Sequence, residues 1–172
     1  MASLMENLIE VLGQESEEYE GLLALSQKKT QIIVSADLTE LQKITDDEQE
    51  VVGRINRLEK KRVEVTADIA DVLNRDVENL KLSNLIELMS PRPAEQAKLT
   101  EVHGRLRASV RELQRINEQN KELLENALEM VQFEMNLLQA TKAAPETANY
   151  TRNAFNSGAQ MGVTSSGFDA KQ

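Results

Sequence analysis

Few residues in this sequence could carry out chemistry, and they lack the partners that catalysis or metal binding requires. The chain has one histidine, His103, and no cysteine. A thiol nucleophile, a zinc ribbon and a disulfide framework are therefore excluded. A di-iron helical bundle needs Glu-x-x-His pairs on two helices, but the residue three positions before His103 is Thr100. We expect no bound metal and no other cofactor.

The motifs of common enzyme classes are missing as well. Gly13, Gly53 and Gly104 are isolated, so no glycine-rich loop can hold a phosphate, and no Gly-x-Ser-x-Gly turn occurs. A serine or threonine nucleophile would need a base, for which His103 in a basic stretch is a poor candidate. We predict that the protein is not an enzyme and works by contact.

The charge of the chain argues against nucleic acid as a partner. Lys and Arg number 20 against 29 Asp and Glu, a net charge of −9 with a pI near 4.8, whereas phosphate binding needs a basic surface. The stretch from Lys98 to Arg115 carries a net charge of +3, but no aromatic residue interleaves it to stack on bases. We expect it to face the first 27 residues, which carry six glutamates and no basic residue.

Neither a membrane span nor a signal peptide is expected. The apolar runs fall far short of the roughly 18 residues that cross a bilayer. The N-terminus, with Glu6 and Glu10, lacks the basic and apolar regions of a signal peptide. These features predict a cytoplasmic protein that does not insert into a membrane.

The elements that position these residues are predicted to be helices. Aromatic residues make up only 3% of the chain, so the core depends on aliphatic side chains. Apolar spacing predicts an all-α fold with helices at about 3–35, 38–73, 83–89 and 94–140. The first two should form an elongated antiparallel hairpin, and the long last helix should complete a coiled-coil-like bundle domain, 1–140.

The second helix has the clearest start and the most regular seam. Asp37 followed by Glu40 has the spacing of a capping box, which places the helix start near Leu38. Polar residues at Glu48 and Arg62 interrupt the apolar seam, where they either fix register and partner number or extend to the edge of the interface. The seam comprises Leu41, Ile44, Glu48, Val51, Ile55, Leu58, Arg62, Val65, Ile69 and Val72.

The last helix carries more apolar residues than one bundle seam requires. Its seam includes Leu123, Ala127, Met130 and Leu137. A second stripe lies beside it and consists of Leu124, Leu128, Val131, Met135 and Leu138. If the hairpin covers one stripe, the other is exposed, which is typical of a partner site or of self-association.

Residues 141–172 differ in composition from the rest of the chain. They are rich in Ala, Thr, Ser, Gly and Asn, which predicts a flexible, disordered tail. The tail nevertheless contains Tyr150, Phe155 and Phe168, three of the five aromatic residues. Tyr150 and Phe155 are the leading candidates for docking anchors, and a tail without function is the alternative.

Several short segments, in their order along the chain, resemble the FlgN-type flagellar export chaperones. No one of them is specific, so the resemblance depends on their order, the length of the chain and its acidity. The segments are Glu18-Tyr19 with Leu22-Leu23, Asp37-Leu38 with Leu41, Glu48-Gln49, Leu58-Glu59-Lys60-Lys61-Arg62, Asn117-x-x-Asn120-x-x-Leu123-Leu124 and Phe168-Asp169-Ala170-Lys171.

The resemblance implies a cytoplasmic chaperone for type III export in flagellum assembly. Such a chaperone holds the terminal helical segment of hook-associated proteins on its C-terminal helix, prevents premature assembly and delivers the complex to the export gate. Two alternatives stay open: a structural coiled-coil protein that self-associates as a homodimer through the seam from Leu41 to Val72, and an adaptor protein.

Overall fold

The described part of the chain consists of four helices and the short segments that connect them. The computed structural model describes residues 2–77 and 80–143. They form α1 (Ala2–Ser35), α2 (Leu38–Leu73), α3 (Leu82–Leu88) and α4 (Pro93–Ala143). The all-α prediction is confirmed, and the predicted bounds agree within three residues. α4 is described to Ala143, three residues beyond the predicted end.

α1 and α2 form an antiparallel hairpin. Ala36 adopts a left-handed backbone conformation with φ of 55°. The Asp37 carboxylate then accepts a hydrogen bond from the Glu40 backbone N–H at 3.0 Å, which confirms the predicted cap of α2. Late residues of α1 pair with early residues of α2, as Lys29 does with Glu48.

Backbone signals end α2 and start α4. Asn74 adopts the left-handed conformation, and the Arg75 N–H donates to the Ala70 carbonyl, a hydrogen bond typical of a Schellman motif. Pro93 is the first residue of α4, where its missing N–H leaves no intrahelical bond unmade. These two signals bracket the connection that contains α3.

Two apolar clusters hold the helices together. The four-helix core comprises Met5, Leu8, Leu12, Val65, Ile69, Ala70, Leu80, Leu85, Met89 and Leu99. The three-helix core comprises Leu22, Val51, Ile55 and Leu113 of α1, α2 and α4. Five residues of the predicted α2 seam are buried and four are half-buried. At its end Val72 is 56% exposed, and Leu73 packs against the four-helix core instead.

The two polar residues of the α2 seam pair with α1 across the hairpin. The Arg62 Nε donates to both carboxylate oxygens of Glu15 at 3.0 Å, and the Glu15 side chain is only 2% exposed. Burial raises the pKa of Glu15, while the hydrogen bond and charge of Arg62 act against that rise. Glu48 likewise binds Lys29, so both residues contact α1 as expected of residues that fix register.

The chain divides into two compact units, residues 1–129 and 130–172, and α4 contributes to both. The first unit contains both apolar cores. Within the described residues, no helix has an apolar stretch long enough to cross a membrane.

Candidate functional site

The second half of α4 exposes a large amount of apolar side chain. Every residue from Glu125 to Ala143 is exposed. Seven large apolar side chains in this stretch are between 53% and 69% exposed, and we call them the α4 apolar surface. They are Leu128, Met130, Val131, Phe133, Met135, Leu137 and Leu138.

The structure exposes four of the five residues of the predicted second stripe. Leu128, Val131, Met135 and Leu138 lie within an arc of about 80° on the helix, given about 100° of rotation per residue. Leu124, the fifth, is half-buried. The predicted stripe is therefore a continuous exposed face over its last four members.

The expectation that the hairpin covers the other stripe is wrong beyond Leu123. Met130 and Leu137 of the seam are as exposed as the stripe beside them. α4 runs parallel to α1, since Glu20 pairs with Arg105 and Thr30 with Asn120. Within the first unit, α1 ends only five residues after Thr30, at Ser35, so few positions of α4 after Asn120 have an α1 residue beside them.

Sequence reasoning missed one member of the α4 apolar surface. Phe133 belongs to neither predicted stripe, yet it is 67% exposed. At about 100° of rotation per residue, Phe133 lies about 40° from Leu137, on the side of the seam that faces away from the second stripe. Phe133 is the only aromatic residue of α4, and this was the signal that could have identified it.

A groove in the first unit begins where the α4 apolar surface begins. Its volume is about 410 Å³. Its apolar lining comes from Leu22 of α1, Val52 of α2, and Leu124 and Leu128 of α4. Its polar lining comes from Ser26, Lys29, Glu48, Asn117, Asn120, Lys121 and Glu125. Val52 is 42% exposed, so both α2 and α4 present apolar side chains to the groove.

A hydrogen-bonded network forms the polar wall of this groove. The Asn120 Nδ2 donates to the Ser26 carbonyl at 2.9 Å, and its Oδ1 accepts from the Thr30 hydroxyl at 2.6 Å. The Ser26 hydroxyl donates to Glu48 at 3.1 Å, and the Lys29 ammonium donates to the same carboxylate at 2.7 Å. Because these polar groups are already paired, an apolar ligand can contact the wall without breaking their hydrogen bonds.

The basic stretch of α4 is divided between two roles. Arg105 pairs with Glu20 of α1 at 2.9 Å, as expected for basic residues that face the acidic first helix. Arg115 pairs with Glu112 on its own helix, and this hydrogen bond lowers the pKa of Glu112. His103 and Arg107 instead line a second groove. Among residues 2–77 and 80–143, no cluster of His, Asp and Glu is arranged to hold a metal ion.

The predicted tail anchors, Tyr150 and Phe155, lie outside the described residues. Their role stays a prediction from the sequence.

Exposed apolar side chains along one helix of a bundle are typical of proteins that bind other proteins. The family model of the FlgN protein matches residues 1–157 of this chain. The chain therefore belongs to the FlgN family, a family of flagellar chaperones. The comparison with curated proteins gave no match, and neither did the comparison with solved structures.

Proposed function

We propose that this protein is a flagellar export chaperone that holds the terminal helical segments of hook-associated proteins on the α4 apolar surface. The observation that carries the proposal is the exposure of seven large apolar side chains along one helix. Contiguous exposed apolar surface on a soluble protein is typical of a protein-binding site. Family membership supports hook-associated proteins as the partners.

The spacing of the exposed side chains suits a helical ligand. Leu128, Val131, Met135 and Leu138 follow one another by three or four positions, the pattern with which two packed helices interdigitate. Two methionines, Met130 and Met135, add side chains that adapt to different neighbours. Such a surface can accept the terminal segments of more than one hook-associated protein.

The groove beside α2 is a candidate contact surface within the first unit. Leu124 and Leu128 line the groove and also belong to the predicted stripe. A client helix that contacts Leu128 would also meet Val52 of α2, which lines the same groove. Holding the client in this way would block its premature assembly, and the complex would then be delivered to the export gate.

Two residues outside the described part of the chain belong to the same proposal. Tyr150 and Phe155 are proposed as anchors for the client or for the export gate, because aromatic side chains bring large contact area at small entropic cost.

A homodimer is the second candidate for the α4 apolar surface. The observation that favours it is that both stripes of α4 are exposed from Ala127 onward.

The proposal predicts that charge placed on the α4 apolar surface abolishes client capture without unfolding the protein. Val131→Asp combined with Leu138→Asp should weaken binding of a hook-associated protein's terminal segment by at least about 100-fold, as for loss of central interface residues. Isothermal titration calorimetry measures the affinity, and circular dichroism checks that the helices remain.

Val63→Asp is the matched control for this experiment. Val63 is a valine on α2 that is 54% exposed, and it lies on a different groove. Equal loss of binding in the control would contradict the proposal, as would unfolding of the double variant. Sedimentation of the wild type over a range of concentrations tests the homodimer, which requires a mass that doubles as concentration rises.

A further inference from the structure

A second groove in the first unit is lined by basic side chains, although the protein as a whole is acidic. It has a volume of about 430 Å³ and shares no residue with the groove beside the α4 apolar surface. α2, the segment around the start of α3, and α4 all contribute to it. Its lining consists of Arg62, Thr66, Leu80, Lys81, Leu82, Ser83, His103 and Arg107.

Among residues 2–77 and 80–143, no carboxylate lines this groove. Four other grooves in the described part of the chain each contain at least two acidic side chains, such as Asp71 and Asp76 in one and Glu17 and Glu18 in another. In a protein with 29 acidic residues, a groove lined by two arginines, a lysine and a histidine is a marked local reversal of charge.

Three of these basic side chains have no acidic partner within the described residues. Arg62 is neutralised by Glu15 and Glu59. The side chains of Lys81, His103 and Arg107, in contrast, make no hydrogen bond or ion pair among residues 2–77 and 80–143. Arg105, two residues before Arg107 in the sequence, does pair with α1, so the basic stretch is not uniformly used inside the fold.

The lining of the groove is apolar between these basic groups. Leu80 is buried, with 6% of its surface exposed, and Leu82 is partly buried against the four-helix core. A small anion such as phosphate gains little from leucine side chains and prefers several donors that converge on one point. A side chain that is apolar and flanked by carboxylates matches both the leucines and the basic groups around them.

We infer that this groove binds an acidic peptide segment of a partner protein, with an apolar side chain seated against Leu80 and Leu82. The flanking carboxylates of the segment pair with Lys81 and Arg107, and His103 lies beside them in the lining. Charge complementarity argues for this occupant, because the described residues leave these cations unpaired in a chain whose own charge is −9. The inference is independent of client binding on α4.

The test measures binding of a short labelled peptide that has one phenylalanine between two runs of aspartate, by fluorescence anisotropy with the full chain. Arg107→Glu and Lys81→Glu should each weaken binding by at least about fivefold, the upper end of what one exposed ion pair contributes. Affinity should also fall as salt is raised, because exposed charges are screened.

Arg111→Glu is the matched control for general charge, because Arg111 lies one turn further along α4 and does not line the groove. It should change the affinity less than twofold. Equal weakening by Arg111→Glu and Arg107→Glu would overturn the proposal, since the attraction would then come from net charge alone.

Two further measurements separate the proposed ligand from its alternatives. Replacing the phenylalanine of the peptide by alanine should weaken binding, and an unchanged affinity would overturn the apolar part of the proposal. Competition by inorganic phosphate at the peptide's own concentration would show a simple anion site. Tighter peptide binding to Phe168→Ala would identify the chain's own end as the occupant and overturn the assignment to a partner.

Discussion

The two halves of α4 carry similar apolar side chains at similar spacing, yet one half is core and the other is surface. Leu99 is fully buried and Leu113 nearly so, whereas Leu128 and Leu138 are 69% and 60% exposed. Helical periodicity shows which residues share a face, but a face becomes core only where another helix covers it. Leu99 and Leu113 are covered in this way, and Leu128 is not. An apolar stripe that no other helix covers therefore indicates binding surface.

The largest expected effect comes from making the same substitution in both halves. Leu99→Ala should lower the free energy of unfolding by about 2–5 kcal/mol, because it leaves a cavity in the four-helix core. Leu138→Ala should change it by no more than about 0.5 kcal/mol, as is usual for an exposed site. Denaturant unfolding followed by circular dichroism measures both. Comparable losses from the two substitutions would show that the end of α4 is covered in solution.

A smaller effect is expected at the boundary between the halves. Asn120→Ala removes the two hydrogen bonds that join α4 to Ser26 and Thr30 of α1, while the Thr30 hydroxyl still donates to the Ser26 carbonyl at 3.2 Å. At about 0.5–1.5 kcal/mol for each lost bond, the variant should be less stable by about 1–3 kcal/mol. The exposed neighbour Gln119→Ala serves as the control and should be close to neutral. Thermal melts of the two variants make the comparison. If Asn120→Ala melts like the wild type, the network does not hold α4 against α1.

The smallest of these effects concerns the turn between α1 and α2. Asp37→Ala removes the cap of α2 and should lower stability by about 0.5–2 kcal/mol. Asp37→Asn retains a side-chain acceptor and should recover most of that loss. Urea titration of the wild type, Asp37→Ala and Asp37→Asn measures the three free energies of unfolding. An alanine variant as stable as the wild type would mean that the left-handed Ala36 alone defines the turn.

Local signals made much of the fold predictable from the sequence. Asp37 and Glu40 marked the start of α2, and the prolines at 91 and 93 marked the connection into α4. The seam positions Val51, Ile55 and Ile69 are buried as predicted. Each of these features depends on residues close together in the chain, so that spacing and residue type were sufficient.

The candidate sites were less predictable because they depend on contacts between distant segments. The stripe containing Leu128 and Leu138 followed from periodicity, but the exposure of Met130 depends on where α1 ends relative to α4. The pairing of Asn120 with Thr30 joins residues 90 positions apart. The basic groove likewise needs segments around residues 62–66, 80–83 and 103–107, and no single window contains all three.

The uncovered end of α4 is continuous with a helix that is already formed in the bundle. A free peptide of that length would first have to nucleate a helical turn, which is the unfavourable step in helix formation. The segment from Glu125 to Ala143 avoids that step, because the packed residues before it serve as the nucleus and only propagation remains. A client that binds along the stripe would therefore meet a helix that is already formed, and none of its binding free energy would be spent on starting one.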